Sequence, residues 1–147
     1  MRKWLNHACP WGIEYEDYFV TICCRPKGLN QLCWREKCPS IVQSLENYHG
    51  RRRWFCSIAL WMPDHMHMII QVGPREKFPA LVGDFKRYLT KTVGIIWHRG
   101  FFDHRIRRHE SLEEKWRYIE NNPMRAGLVE SIEDWPYRWE PEKKVKE

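Results

Sequence analysis

Nine residues, Trp54 to Met62, are apolar but for Ser57; they run into Pro63-Asp64 and then into His65-Met66-His67-Met68-Ile69-Ile70-Gln71-Val72. A continuous apolar run this short cannot span a bilayer; it reads as a strand buried on both faces in the middle of a sheet. Pro63-Asp64 is a turn signal, so the next segment returns as the second arm of a hairpin. Side chains on that arm alternate, which puts His65, His67, Ile69 and Gln71 on one face and Met66, Met68, Ile70 and Val72 on the other. One face is core. The other carries two imidazoles side by side, the spacing a strand needs for both to reach one metal ion. Two strand histidines held only by hydrogen bonds would fit the same spacing.

Other elements assemble around the hairpin. Tyr18-Phe19-Val20-Thr21-Ile22-Cys23-Cys24 is rich in β-branched and aromatic residues and is closed by Arg25-Pro26-Lys27-Gly28, which predicts a first strand. Pro39-Ser40 opens a helix to about Tyr48, with His49-Gly50 as its stop. Pro79 to about Val93 gathers Leu81, Val82, Phe85, Leu89 and Val93 into one helical stripe, with Tyr88 on its flank. From Phe101 to Arg108 alternation sets Phe102, His104 and Ile106 against Asp103, Arg105 and Arg107, a partly exposed strand whose basic face suits a phosphate backbone. The order strand, helix, strand, strand, helix, strand, helix is α+β. It predicts a ferredoxin-like (split βαβ) antiparallel sheet with two packing helices and an added C-terminal helix. Residues 1–147 read as one domain, with 1–17 an irregular lead-in and 140–147 a frayed tail.

That added helix carries the second chemical signal. Ser111 and Glu114 have capping-box spacing, and Asn122-Pro123 stops the helix. Leu112, Trp116 and Ile119 form its apolar stripe, whereas Tyr118 projects to the polar side with Lys115. Asn122 falls four residues later on the face of Tyr118. A large aromatic on the polar side of a helix calls for a function.

Charge and cysteine usage narrow the partners. A formal net charge of +6 and a pI near 9.1 favour anionic ligands. Nine tryptophans point to aromatic faces used for stacking as well as packing. Cys9, Cys23, Cys24, Cys33, Cys38 and Cys56 form no paired knuckles, and no secretory apolar segment precedes them, which suits a reduced, cytoplasmic setting without a membrane. Zinc on Cys33 and Cys38 with Cys23 or Cys24 is an alternative with irregular spacing.

Taken together, these pieces are more specific than any one of them. His65-Met66-His67 resembles the His-hydrophobe-His motif of the HUH single-strand DNA nickases and transposases. The wider pattern resembles the REP-associated tyrosine transposases of that superfamily. It comprises Met62-Pro63-Asp64-His65-Met66-His67, then Trp97-x-Arg99-Gly100-Phe101-Phe102-Asp103-His104-x-Ile106-Arg107, then Tyr118-Ile119-x-x-Asn122-Pro123-x-x-Ala126-Gly127-Leu128. The resemblance runs from about Tyr18 to Trp139. It implies His65, His67 and Asn122 as ligands of a divalent metal, Mg²⁺ or Mn²⁺, and Tyr118 as the nucleophile that cuts single-stranded DNA through a 5′-phosphotyrosine link. It implies single-stranded or hairpin DNA as partner and a monomer or homodimer as the working form.

Arg99, Arg105 and Arg107 are the expected phosphate contacts. Tyr88 is the rival nucleophile. Asp64 stands where the family often has asparagine or glutamate, and the stretch Cys23 to Cys38 lies outside the pattern. A nucleic-acid-binding module that has lost cleavage, and a structural metalloprotein built on the cysteines, are the competing classes.

Overall fold

The computed structural model describes residues 16–73, 76–107 and 110–141; Cys9, the lead-in before residue 16 and the tail after 141 lie outside them. Five strands are present: β1 (Glu16–Cys23), β2 (Phe55–Met62), β3 (His65–Val72), β4 (Phe102–Ile106) and β5 (Arg138–Trp139). They form one antiparallel sheet in the order β4-β1-β3-β2-β5. The helices are α1 (Cys38–Gly50), α2 (Phe78–Val93), α3 (Leu112–Glu120) and a single turn, α4 (Asn122–Arg125). The hairpin arm β3 inserts between β1 and β2, which splits the β1-α1-β2 unit as the element order predicts. The expected α+β class and antiparallel sheet are present.

β2 is buried on both faces because the sheet is covered on both. On one side α1 and α2 lay Ile41, Leu45, Leu81, Val82, Phe85 and Leu89 against Val20, Ile22, Trp61, Met66, Met68 and Ile70. On the other, Trp116 and Ile119 of α3 pack with Ile58, Leu60, Met62, Ile69 and Trp135. A β-bulge at Ser57 offsets the ladder between Cys56 and Ile58. The histidine face is therefore half core and half site: its Ile69 end is covered by α3, and its His65 end is not fully closed.

Local chemistry accounts for the helix ends. Pro39 and Pro79 sit in the first turns of α1 and α2, where the missing N–H costs nothing. Gly94 closes α2 in the left-handed region (φ 71°), a conformation glycine adopts without a Cβ penalty. Ser111 Oγ accepts from Glu114 N at 3.0 Å, the cap its spacing predicts.

Three features differ from the sequence reading. β1 starts at Glu16, not Tyr18, since Glu16 and Asp17 pair with Val72 and Gln71. Residues 135–139, to which the sequence reading assigns no element, pack on the sheet: Trp135 Nε1 donates to Trp61 O at 3.1 Å, Trp61 N donates to Tyr137 O at 3.0 Å, and Arg138-Trp139 pairs with β2 as a fifth strand. Asn122-Pro123 ends α3 but also begins α4, so the chain turns again instead of stopping.

Candidate active site

The histidines of β3 face β1. Thr21 is the ladder partner of His67, and its Oγ1 lies 2.9 Å from His67 Nδ1; Cys23 is the ladder partner of His65. His65 Nδ1 donates to Asp64 Oδ1 at 2.9 Å, and the other carboxylate oxygen accepts Gly28 N–H at 2.8 Å. A carboxylate only accepts, so Nδ1 carries a proton, and in the neutral ring Nε2 is the nitrogen with the lone pair. His67 reaches the same state when Nδ1–H donates to Thr21. Partners of this kind set ring orientation and raise ligand basicity in metal sites.

The cysteine-rich loop supports this arrangement. Gln31 N and Leu32 N donate to Pro63 O at 2.8 and 3.1 Å, and Cys24 N donates to Asp64 O at 2.8 Å, so residues 24–32 clasp the turn that launches His65. Burial pushes the Cys24 and Cys33 thiols up to about 12, helped for Cys24 by the Asp64 charge and for Cys33 by neighbouring Cys38. Such thiols stay protonated at neutral pH while no cation is bound to them. Among the described residues no cluster of three or more His, Cys, Asp or Glu is arranged to hold a metal, so a cysteine zinc site is not formed there.

His67 is 7% exposed, while Tyr118 is 51% exposed. Burial chiefly, then the neighbouring His65 and Arg125, push the His67 imidazole down to about 3. It is neutral at physiological pH, the form that can donate a lone pair. The His65 and His67 rings are 4.8 Å apart between centroids, and His67 and Tyr118 are 6.3 Å apart with an edge-on tilt. Phe19 touches both, 5.3 Å from His67 and 5.9 Å from Tyr118. Residues from three separate elements thus bring a half-exposed phenol beside two oriented imidazoles.

The remaining sequence candidates divide by sheet face. Register pairs His104 with Phe19 and Arg105 with Tyr18, so His104 shares the site face and Arg105 the opposite one, where it meets Glu16 at 3.1 Å. Arg99 and Arg107 are exposed, and Arg107 lends its backbone N–H to Glu110 Oε1 at 2.9 Å. Tyr88 packs against the α1/α2 core, behind the sheet from the histidines. Asn122 begins α4, outside the helix of Tyr118, and its amide makes no hydrogen bond among the described residues. Two grooves flank the site. One of about 370 Å³ is lined by Phe19, His104, Glu114, Lys115 and Tyr118. The other, about 250 Å³, includes Lys27, Asp64, His65, His98 and Phe102.

Parts of the chain are similar to known proteins. A Haemophilus influenzae protein carrying the provisional name REP-associated tyrosine transposase is 31% identical over 93 residues, covering 52% of this chain and 53% of that protein. The REP-associated tyrosine transposase of Escherichia coli K12 is 30% identical over 79 residues, covering 52% of this chain and 48% of its own. Over about half its length the chain is similar to proteins named REP-associated tyrosine transposases. It spans about half the length of the curated relatives it matches. A REP-associated tyrosine transposase bound to a REP hairpin shares its fold, with a TM-score of 0.74 at 22% identity over 88% of this chain and 79% of that one. A Deinococcus radiodurans protein provisionally named a transposase aligns with a TM-score of 0.56 at 16% identity, covering 82% of this chain and 97% of that one. No family model matches the chain.

Several site residues escaped the sequence reading. Thr21 looked like an ordinary strand residue, and only the β1–β3 register reveals its bond to His67. Asp64 looked like a turn former, and its role as the acceptor for His65 is visible only in the folded turn. Arg125 lies over the Tyr118 ring at 4.1 Å and donates to Tyr118 O at 2.8 Å, a return no helical projection predicts across the break at Asn121.

Proposed function

We propose that this protein is a metal-dependent single-stranded DNA endonuclease and strand transferase that works through Tyr118. The observation that carries this reading is the meeting of Tyr118 with His67, itself beside His65, with the Nδ1 atoms of both histidines engaged by Thr21 and Asp64. The names of the homologues, and the REP hairpin to which the structural neighbour is bound, support DNA hairpins as the substrate class. His65 and His67 would hold the metal through Nε2, with Asn122 as the third protein donor and phosphate oxygens completing the set. Two imidazoles with an amide suit a borderline-hard ion such as Mn²⁺ or Mg²⁺. When bound, the cation supplies Lewis-acid polarisation of the phosphate.

The chain's own part in the chemistry is positional. Tyr118 loses its phenolic proton to solvent, and its oxygen bonds to phosphorus. The bond from phosphorus to the 3′ oxygen breaks, and that oxygen takes a proton from water to leave a free 3′-hydroxyl. A 5′-phosphotyrosine link remains, whose bond energy lets another strand's 3′-hydroxyl displace the tyrosine in the reverse sense. Holding the phenol against the histidines replaces a bimolecular encounter with an oriented one.

The test is incubation with end-labelled, hairpin-bearing single-stranded DNA and Mn²⁺. A covalent protein–DNA adduct is expected, absent with Tyr118→Phe and with EDTA. An adduct that persists in Tyr118→Phe, or no adduct under any divalent metal, overturns the reading.

A further inference from the structure

Arg125 is set apart by its place over the Tyr118 ring; its lack of a carboxylate partner is shared, among the described residues, by Arg25, Arg35, Arg51 and Arg99. Arg53 and Arg87 share Asp84, Arg105 meets Glu16, Arg117 meets Glu113 and Arg138 meets Glu120. Arg125 has no carboxylate partner among the described residues. Its guanidinium instead lies 4.1 Å over the centroid of the Tyr118 ring, and one Nη2–H is spent on Tyr118 O at 2.8 Å. A guanidinium carries five N–H donors in a planar fork, so most of them remain uncommitted. The residue is exposed, and the ring beneath it is half exposed, so both are open to a ligand.

Its placement is built by the chain. α3 ends at Glu120, and Pro123 is buried at the start of α4. Leu128 N closes back on Pro123 O at 2.9 Å, and Gly127 takes a φ of 75° to allow it. This short turn carries Arg125 back over the last turn of α3, where it also satisfies a terminal carbonyl. The phenol oxygen projects from the ring edge by one C–O bond. A phosphate joined to that oxygen, or approaching it, therefore comes within reach of a fork lying on the ring face.

We propose that Arg125 is a phosphate-binding residue of the Tyr118 site, pairing with the phosphodiester as the phenol attacks and with the phosphotyrosyl product. The proposal rests on the tyrosine reading above. Stacking on the ring positions the fork, and the free donors meet the developing negative charge in the bidentate geometry that suits phosphate. A cation that served only to cap α3 would need neither the ring contact nor the unpaired charge.

The experiment compares the unsubstituted protein, Arg125→Gln and Arg125→Lys in three measurements on hairpin-bearing single-stranded DNA with Mn²⁺. These are the adduct-forming rate at saturating DNA, the DNA dissociation constant and the melting temperature. For Arg125→Gln the rate should fall about 100-fold, as for loss of one charge-stabilising donor, while binding changes less than about threefold. Arg125→Lys should recover part of the rate, since it keeps the charge but not the fork. The melting temperature should stay close to that of the unsubstituted protein.

Wild-type rates in Arg125→Gln, or a loss confined to affinity or to melting temperature, overturn the role of Arg125 while leaving the tyrosine reading intact. No adduct from the unsubstituted protein overturns both. If Arg125→Gln does not fold, Arg125→Lys decides: a wild-type rate overturns the proposal and a partial loss upholds it.

Discussion

Asp17 shares a strand face with Phe19 and Thr21 and is the ladder partner of Gln71, whose Oε1 is buried without a hydrogen-bond partner. Burial pushes the Asp17 carboxyl up to about 6, against the opposing effect of its hydrogen bond with Gln71. The folded protein thus keeps a proton that the unfolded chain releases near 3.8. Native protein binds more protons between those values, so the stability contributed by this group is complete below about pH 4 and is lost as pH rises to about 6. Asp17→Asn removes the penalty and offers an N–H to Gln71 Oε1. With allowance for partial exposure, it should stabilise the protein by about 1–2 kcal/mol at pH 8 and by almost nothing at pH 4. Thermal melts of both proteins across that range check the sign: a gap that widens toward low pH would refute it.

At the scale of elements, the site depends on α3 lying across the β2–β3 hairpin, and the C-terminal segment secures it there. Glu120, 4% exposed at the end of α3, pairs with Arg138 of β5 at 2.8 Å. Arg138 also meets Glu140. β5 thereby connects the far edge of the sheet to the helix that carries Tyr118. Removing one member of a buried pair leaves the other charge desolvated, a loss larger than the pair's net stabilisation. Arg138→Ala should cost about 2–3 kcal/mol in urea unfolding and should raise hydrogen exchange in α3 before α1. Equal protection of both helices in the variant would separate β5 from the support of Tyr118.

For the whole molecule, the sheet divides the basic surface. Arg105 lies behind the site and is paired with Glu16, whereas Lys27 lines the groove that reaches His65. Lys27→Ala should lower the slope of log affinity against log salt for single-stranded DNA by about 0.7, the release expected for one phosphate contact. Arg105→Ala should leave the slope unchanged. A fall for Arg105 and none for Lys27 would move the DNA path to the opposite face.

Local signals in the chain determined a good deal by themselves. Period-two alternation placed His65 and His67 together, the Ser111 cap set the phase of α3, and that phase put Tyr118 off its apolar stripe; these depend only on neighbours a few residues apart. Alternation also separated His104 from Arg105, but the face belonging to the site emerged only when β4 paired beside β1. Thr21 on His67, Asp64 between His65 and Gly28, and β5 on β2 join distant parts of the chain, so local periodicity carries no trace of them. Arg125 on Tyr118 is near in sequence but crosses a helix break, where side-chain direction is set by the packing of Pro123 and the turn at Gly127. The elements and the faces on which His65, His67 and Tyr118 lie were legible because they follow from backbone period. Orientation and support of those side chains were decided by tertiary contact, since a hydrogen bond has direction only once both partners are held in place.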